Sequence, residues 1–218
     1  MKDNPAVTKK NILASAKKEF LEKGFTNASL RTIAANADVT TGALYRHFAD
    51  KDALFCALVD DAAGVTRSIL EKASVAEHLQ LQDPFGKAHH QYEDELFVTF
   101  IDYLYSDFDA FVLLLEKSAG STHEGFLQRM TDLYADKCLE LVSWISAEQL
   151  VKTQLDPMTV HVIASNFITS IAELVFHRLP RADAGRFIME IHRFYHSGWT
   201  HLFELDCSEQ CDFPDSAR

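Results

Sequence analysis

SLRTIAANADVTTGALYRHF, Ser29–Phe48, holds two short apolar patterns separated by a few polar residues. Ser29 has the chemistry of an N-cap, and Leu30–Asn36 then reads as one helix. Thr41–Phe48 reads as a second. A helical advance of about 100° per residue places Leu44 and Phe48 on one side of that helix and Gly42, Ala43, Tyr45 and Arg46 on the other. Leu30, Ile33, Ala34 and Val39 complete the inward set, and Ala34 is small where two helices must approach. Two short helices with a tight turn and an outward second helix make a helix-turn-helix. The outer arc suits a DNA groove. Gly42 lets the backbone come near, Ala43 can meet a thymine methyl, and Arg46 can reach guanine or phosphate. Thr40 and Thr41 sit at the end that enters first, Arg31 lies on the preceding helix, and Ser29 heads a helix N-terminus, a natural phosphate seat.

Upstream, Ile12, Ala16 and Phe20, flanked by Leu13 and Leu21, give one apolar face, with lysines on the other and Gly24 placed where a left-handed cap would end the helix. Downstream, Asp50 has the position of an N-cap for a long helix starting at Lys51.

Charge agrees with this division. The 218-residue chain carries a net charge of −11, unpromising for a nucleic-acid binder. Through Phe55, however, nine Lys/Arg stand against six Asp/Glu, so the head is basic and the remainder strongly acidic. The reading divides the chain into a DNA-binding domain, 1–55, and a body, 56–218, whose residues 206–218 are expected to form a loose tail.

The run Ile12-Leu13, Ala16, Phe20, Gly24-Phe25-Thr26, Ser29, Ile33-Ala34, Ala37, Val39-Thr40, Gly42, Leu44-Tyr45, His47-Phe48, Lys51 and Leu54 resembles the tetracycline-repressor (TetR/AcrR-type) family over about a quarter of the chain. That resemblance implies an all-helical homodimer whose first three helices bind operator DNA and whose other helices hold a small-molecule effector and the dimer contact. It also makes Tyr45, His47 and Lys51 phosphate contacts, and Thr41 and Arg46 base readers. One position departs. Asp38 stands where the family usually has glycine, and aspartate is among the few residues that tolerate positive φ.

The body reads as helical throughout, with segments near 86–105, 109–118, 124–150, 157–179 and 184–205. Gln82-Asp83-Pro84 and Gly120-Ser121-Thr122 are breaks, Asp156-Pro157 is a cap followed by an N1 proline, and Asp183 is a cap for the last helix. The expected fold class is therefore all-α. Its apolar stretches fall short of the ~20 residues a membrane span needs, the N-terminus lacks a signal-peptide core, and four scattered cysteines suit a reducing compartment. A cytoplasmic protein is expected.

No nucleophile elbow, phosphate loop or zinc-protease helix occurs, so an enzyme is not expected. The effector site is expected in the aromatic-rich middle, with Phe100, Asp102, Tyr103, Phe111, Asn166 and Glu173 as its residues. Phe167, Ile171, Leu174, Ile191, Phe194, Tyr195 and Trp199 are expected at the dimer interface, because the last two helices are apolar on more than one side. Glu173/His177, His192/His196 and His201 with Cys207 and Cys211 lack the spacing of a structural zinc site, and no metal or cofactor is expected. The alternative is a DNA-binding protein of the same family that works through a protein partner in place of a small ligand.

Overall fold

Apolar residues at three-four spacing give helices through most of the described chain, with glycine tolerated inside them at Gly42, Gly64, Gly185 and Gly198. A computed structural model describes residues 5–72, 87–147 and 154–204. Among them there are nine helices and no strand: α1 (Pro5–Asn27), α2 (Leu30–Asn36), α3 (Thr41–His47), α4 (Lys51–Lys72), α5 (Lys87–Ser106), α6 (Phe108–Glu116), α7 (Phe126–Ala147), α8 (Pro157–Phe176) and α9 (Arg181–Leu202). The all-α architecture is as expected. Residues 82–84 and 206–218, read as a break and a tail, lie outside the described residues.

Side-chain caps mark several of the helix starts. The Asp50 carboxylate accepts from the Ala53 amide at 2.7 Å and starts α4, and Asp156 accepts from Thr159 at 3.1 Å ahead of Pro157. Asp183 is not the cap of the last helix. Pro180 holds that place, and Asp183 lies in the first turn, where its charge favours the helix dipole. At the end of α8 the Leu179 amide donates to Leu174 O and the Arg178 amide to Val175 O, with Arg178 at φ 51. This is a Schellman termination with a non-glycine residue at the left-handed position.

Packing groups the chain into two units: Met1–Val65 with Asp107–Leu127, and Thr66–Ser106 with Gln128–Arg218. The boundary drawn along the sequence at 55–56 is thus not where the contacts divide, because the first unit recruits α6 and the loop after it. Its core contains Ile12, Ala16, Phe20, Ile33, Leu44, Leu54 and Phe55, with Phe20, Phe25 and Phe55 in mutual ring contact. Helix α6 adds Phe111 to Leu114, buried and packed in the same unit as α1. Lys17 on α1 pairs with Asp107 at 3.1 Å and Asp109 at 3.6 Å, so this lysine turns toward α6.

Gly24 joins the two parts of this unit. Its φ of 72° and ψ of 167° lie in a region that is essentially glycine-only, not the left-handed cap expected there, and one short helical turn resumes after it. The bend aims the Phe25 amide at Lys117 O, 2.8 Å away. Thr26 Oγ1 donates to Ala119 O at 2.7 Å, and a Cβ on Gly120 would come within 2.9 Å of that hydroxyl oxygen. The second unit is built on α5, α8 and α9, which share Ile101, Leu174, Ala184 and Ile188, ringed by Phe97, Phe100, Ile171 and Phe187. The Tyr105 hydroxyl donates to Leu179 O at 2.6 Å.

Helix α8 is long and apolar enough to cross a membrane by length and composition, contrary to the expectation that no stretch would be. It is instead a core helix: Val160, Ala164, Phe167, Ile168, Ala172, Leu174 and Val175 are buried inside the second unit, and Asn166, Thr169 and Glu173 interrupt its other side.

Replacing Gly24 by Ala should lower stability by about 1–3 kcal/mol, since alanine cannot take this backbone conformation without strain. Urea unfolding checks it; an unchanged midpoint would show that the bend can be relieved locally.

Candidate nucleic-acid interface

Seven-residue helices do not hold themselves in water. Helix α1 fixes α2 through two polar contacts: buried Ser15 Oγ donates to Ile33 O at 2.9 Å, and Glu19 Oε1 accepts from the Ser29 amide at 3.1 Å. Sequence reading missed both. The available signal was position, since Ser15 and Glu19 fall on the same helical face as Ile12 and Ala16. Ser29 is the expected N-cap, its hydroxyl accepting from the Thr32 amide at 3.3 Å. That hydroxyl is half-buried, and the amide beside it already serves Glu19.

The turn closes on Asp38. Its φ is 56°, the positive value that aspartate tolerates, and it makes a Schellman motif in place of glycine. The Asp38 amide donates to Ala35 O and the Val39 amide to Ala34 O, 3.2 and 3.0 Å. Thr40 then caps α3, its hydroxyl accepting from the Ala43 amide at 3.1 Å.

On α3 the expected division holds. Leu44 and Phe48 are buried, Thr41, Gly42, Tyr45 and Arg46 are exposed, and Ala43 and His47 are half-buried. Tyr45 keeps half its surface open, a large exposure for an aromatic on a helix one turn long on either side. Arg31 is exposed on α2, and Lys10 and Lys18 on α1. Lys9 lies over the Phe48 ring, 5.7 Å from its centroid. Thr41, Gly42, Tyr45 and Arg46 on α3 and Arg31 on α2 are thus exposed in one unit, with Lys9 of α1 lying against Phe48.

Lys51 is more constrained than the sequence implied. Its ammonium donates to Thr26 O at 3.1 Å and Ala28 O at 3.3 Å and stands over the Phe25 ring at 4.7 Å. Two of its three N–H groups are thus spent on satisfying carbonyls at the end of α1, which leaves one for a phosphate.

Beneath this face, the first half of α4 is tied to the loop after α6. Asp52 accepts from the Thr122 amide at 2.8 Å and from the Thr122 hydroxyl, and His123 Nε2 lies 2.8 Å from Asp60 Oδ1. Burial would raise the Asp52 carboxyl, but the hydrogen bonds from Thr122 outweigh it and hold the group below the ordinary carboxylate range. The Cys56 thiol is pushed up to about 11 by burial and by the neighbouring Asp52, Asp60 and Asp50 carboxylates.

The six residues expected around an effector do not converge. Phe111 is buried in the first unit; Phe100 packs on the core of the second. Asp102 is ion-paired with Arg181 at the surface, Tyr103 is half-buried, Asn166 is exposed, and Glu173 pairs with His177 at 2.9 Å. A cavity of about 80 Å³ does occur in the second unit, lined by Phe97, Tyr134, Cys138, Leu141, Val142, Phe167, His192, Tyr195, His196, Trp199 and Phe203. His192 and His196, noted for their four-residue spacing, are both buried, with ring centroids 6.3 Å apart.

The residues expected at a dimer contact also separate. Leu174 is core, and Phe167, Tyr195 and Trp199 line the cavity. Ile171 and Ile191 are half-buried, and Phe194 alone of the seven is widely exposed, at 71%. Of the histidine and cysteine set near the C-terminus, His201 is exposed, whereas Cys207 and Cys211 lie outside the described residues.

Comparison with known proteins adds to this geometry. Residues 12–58 match the model for bacterial regulatory proteins of the tetR family. An uncharacterized HTH-type transcriptional regulator of Haemophilus influenzae is 28% identical over 168 residues, 76% of this chain and 74% of that protein. The HTH-type transcriptional repressor BepR of Brucella suis is 36% identical over 77 residues, which span 35% of this chain and 37% of BepR. Among solved structures, NalD of Pseudomonas aeruginosa, the secondary repressor of the MexAB-OprM multidrug efflux pump, has a TM-score of 0.55 at 20% identity, over 85% of this chain and 94% of NalD. FadR of Bacillus subtilis, solved with stearoyl-CoA, has a TM-score of 0.54 at 15% identity, over 87% and 98%. At those identities the two structures speak for the shared fold.

Proposed function

For a chain that belongs to the TetR/AcrR-type transcriptional regulators, DNA-binding proteins and not enzymes, we propose the following action. It works in the bacterial cytoplasm as a homodimeric repressor. It holds a palindromic operator through α2 and α3 and lets go when an apolar or amphipathic small molecule occupies the second unit. The observation that carries this is the outer arc of α3, where Thr41, Gly42, Tyr45 and Arg46 stand exposed over a buried Leu44 and Phe48.

Roles follow from chemistry and position. Arg46, with its forked donors, reads a base edge, and Thr41 assists it near the N-terminus of α3. Gly42 and Ala43 let the helix lie deep. Tyr45, His47, Lys51, Thr40, Ser29 and Arg31 bind the backbone of the duplex, where neutralised phosphate charge supplies affinity without sequence information. Arg46→Ala should relax discrimination at one base pair by about 1–3 kcal/mol. Tyr45→Phe should weaken binding equally across sequences. Selection of bound duplexes from a random pool, repeated with each variant, measures both; an unchanged profile and affinity for Arg46→Ala would remove this helix from base reading.

One recognition helix spans too few base pairs for a unique site, and a two-fold partner supplies the second half-site about one helical turn away. The pairing surface is assigned to the outward sides of α8 and α9, where Met158, Val162, Phe176 and Phe194 are exposed. Phe194→Glu should give a folded monomer with much weaker operator binding. Sedimentation of the wild-type chain as a monomer at micromolar concentration, with full operator affinity, would overturn the assignment.

The effector site is assigned to the aromatic cavity. Its present size admits a few heavy atoms, far from the roughly 300–1,000 Å³ of a drug-sized pocket, so binding must enlarge it. That requirement is useful for a switch. A ligand that fits only the enlarged arrangement shifts the equilibrium by its preference for it, typically 1–3 kcal/mol of coupling. Leu141→Trp, which fills the cavity, should leave operator binding intact and abolish release by a compound that releases the wild type. Retained release in that variant would place the effector elsewhere.

A further inference from the structure

Cys56 and Asp60 lie one helical turn apart on α4, and His123 comes to them from the loop after α6, all within the first unit. Their donor atoms, Cys56 Sγ, an Asp60 oxygen and a His123 ring nitrogen, all fall within 4.8 Å of one another. Three different ligand types converging from two elements is not what a helix surface gives by composition alone. Helix periodicity brings together residues i and i+4, but the histidine arrives from 63 residues away.

We propose that Cys56, Asp60 and His123 form a binding site for a divalent transition-metal ion of borderline softness, Zn²⁺ being the reference case. The donor set decides the class of ion. Thiolate and imidazole exclude Mg²⁺ and Ca²⁺, which take oxygen ligands, and the carboxylate tempers the preference for a soft monovalent metal. Bonds of about 2.0–2.3 Å place ligand atoms of a tetrahedral site roughly 3.5 Å apart, so the cluster needs movements of about 1 Å or less. Asp60 can supply them because its side chain is mostly exposed, while His123 and Cys56 are held more firmly. The exposed carboxylate also gives the ion its way in.

Binding is written without any co-reactant. The Cys56 thiol loses its proton to solvent as the Sγ–metal bond forms. His123 gives up the contact with Asp60 Oδ1, takes the tautomer protonated at Nδ1 and presents Nε2 to the ion. Asp60 turns one oxygen to the metal. Asp52 remains beside the site, its carboxylate 3.8 Å from Cys56 Sγ and fixed by Thr122, as an orienting neighbour of the kind that sets ligand geometry. Solvent completes the coordination. An ion held this way replaces the single His123–Asp60 contact by bonds from both elements and fastens α4 to the 117–125 loop.

The test uses the full-length, tag-free, reduced protein with Co²⁺ as a spectroscopic probe and Zn²⁺ as its competitor. One Co²⁺ per chain should bind with a near-ultraviolet thiolate-to-metal charge-transfer band, and Zn²⁺ should abolish that band and raise the melting temperature. Cys56→Ser should remove the band, His123→Gln and Asp60→Asn should weaken Co²⁺ binding at least tenfold, and Cys138→Ser should change nothing. Circular dichroism of each variant separates loss of the site from loss of the fold, and the near-isosteric Cys56→Ser is the decisive one. Absence of the band in the wild type overturns the proposal, as does a band that survives in Cys56→Ser or disappears in Cys138→Ser.

Discussion

The contact between the Glu19 carboxylate and the Ser29 amide, made at a site almost closed to solvent, is what the two short helices α2 and α3 depend on. Helices α2 and α3 have seven residues each, too few to persist without outside support. Helix α2 is anchored at its start by Glu19 and near its middle by Ser15 on Ile33 O, so α1 sets both its position and its rotation. The Schellman turn at Asp38 then fixes the angle at which α3 leaves, and Thr40 caps it. Each later step inherits its geometry from the one before. The exposed Arg46 and Tyr45 are positioned by Ser15 and Glu19, which are buried.

The same unit is completed from far along the chain. Residues 107–127 supply α6, whose Phe111 to Leu114 are buried, and a loop whose carbonyls receive the Phe25 amide and the Thr26 hydroxyl. Two glycines make this possible for different reasons. Gly24 provides a backbone conformation closed to other residues, and Gly120, at φ 89°, provides both conformation and space. The head is consequently not an independent module of the first 55 residues. Any event that moves residues 117–123 is felt by Phe25, Asp52 and Asp60, and so by the start of α4 and the end of α1.

Local chemistry made the head readable from sequence. Ser29, Asp50 and Asp156 announce helix starts because a short oxygen-bearing side chain satisfies an amide three residues on, and all three do so; Thr40 does the same for α3, but sequence reading missed it as a cap. Asp38 was readable for the same reason: positive φ is a property of one residue and its immediate neighbours. Asp183 misled because a carboxylate in the first turn and a carboxylate at the cap look alike in sequence. Lys51 was placed at the right point on the right helix, but its bonds to Thr26 O and Ala28 O depend on how α1 ends, which periodicity does not encode.

In the second unit the sequence signal is degenerate. Helices α8 and α9 are apolar on more than one side, and an apolar residue on such a helix has three destinations: core, cavity wall or exposed face. Leu174, Phe167 and Phe194 show one of each, though all carry the same periodic mark. Which of the three applies is decided by residues on α5 and α7, such as Phe97 and Tyr134, whose rings meet Phe167. The exposed ring is then the informative one. Covering an aromatic or aliphatic side chain of this size is worth about 1.5–3 kcal/mol, and a two-fold partner covers each such residue twice, once on either copy. Met158, Val162, Phe176 and Phe194 stay open to water, so what the sequence blurred into a single apolar pattern the structure sorts into a filled core, an aromatic cavity and exposed apolar residues on α8 and α9.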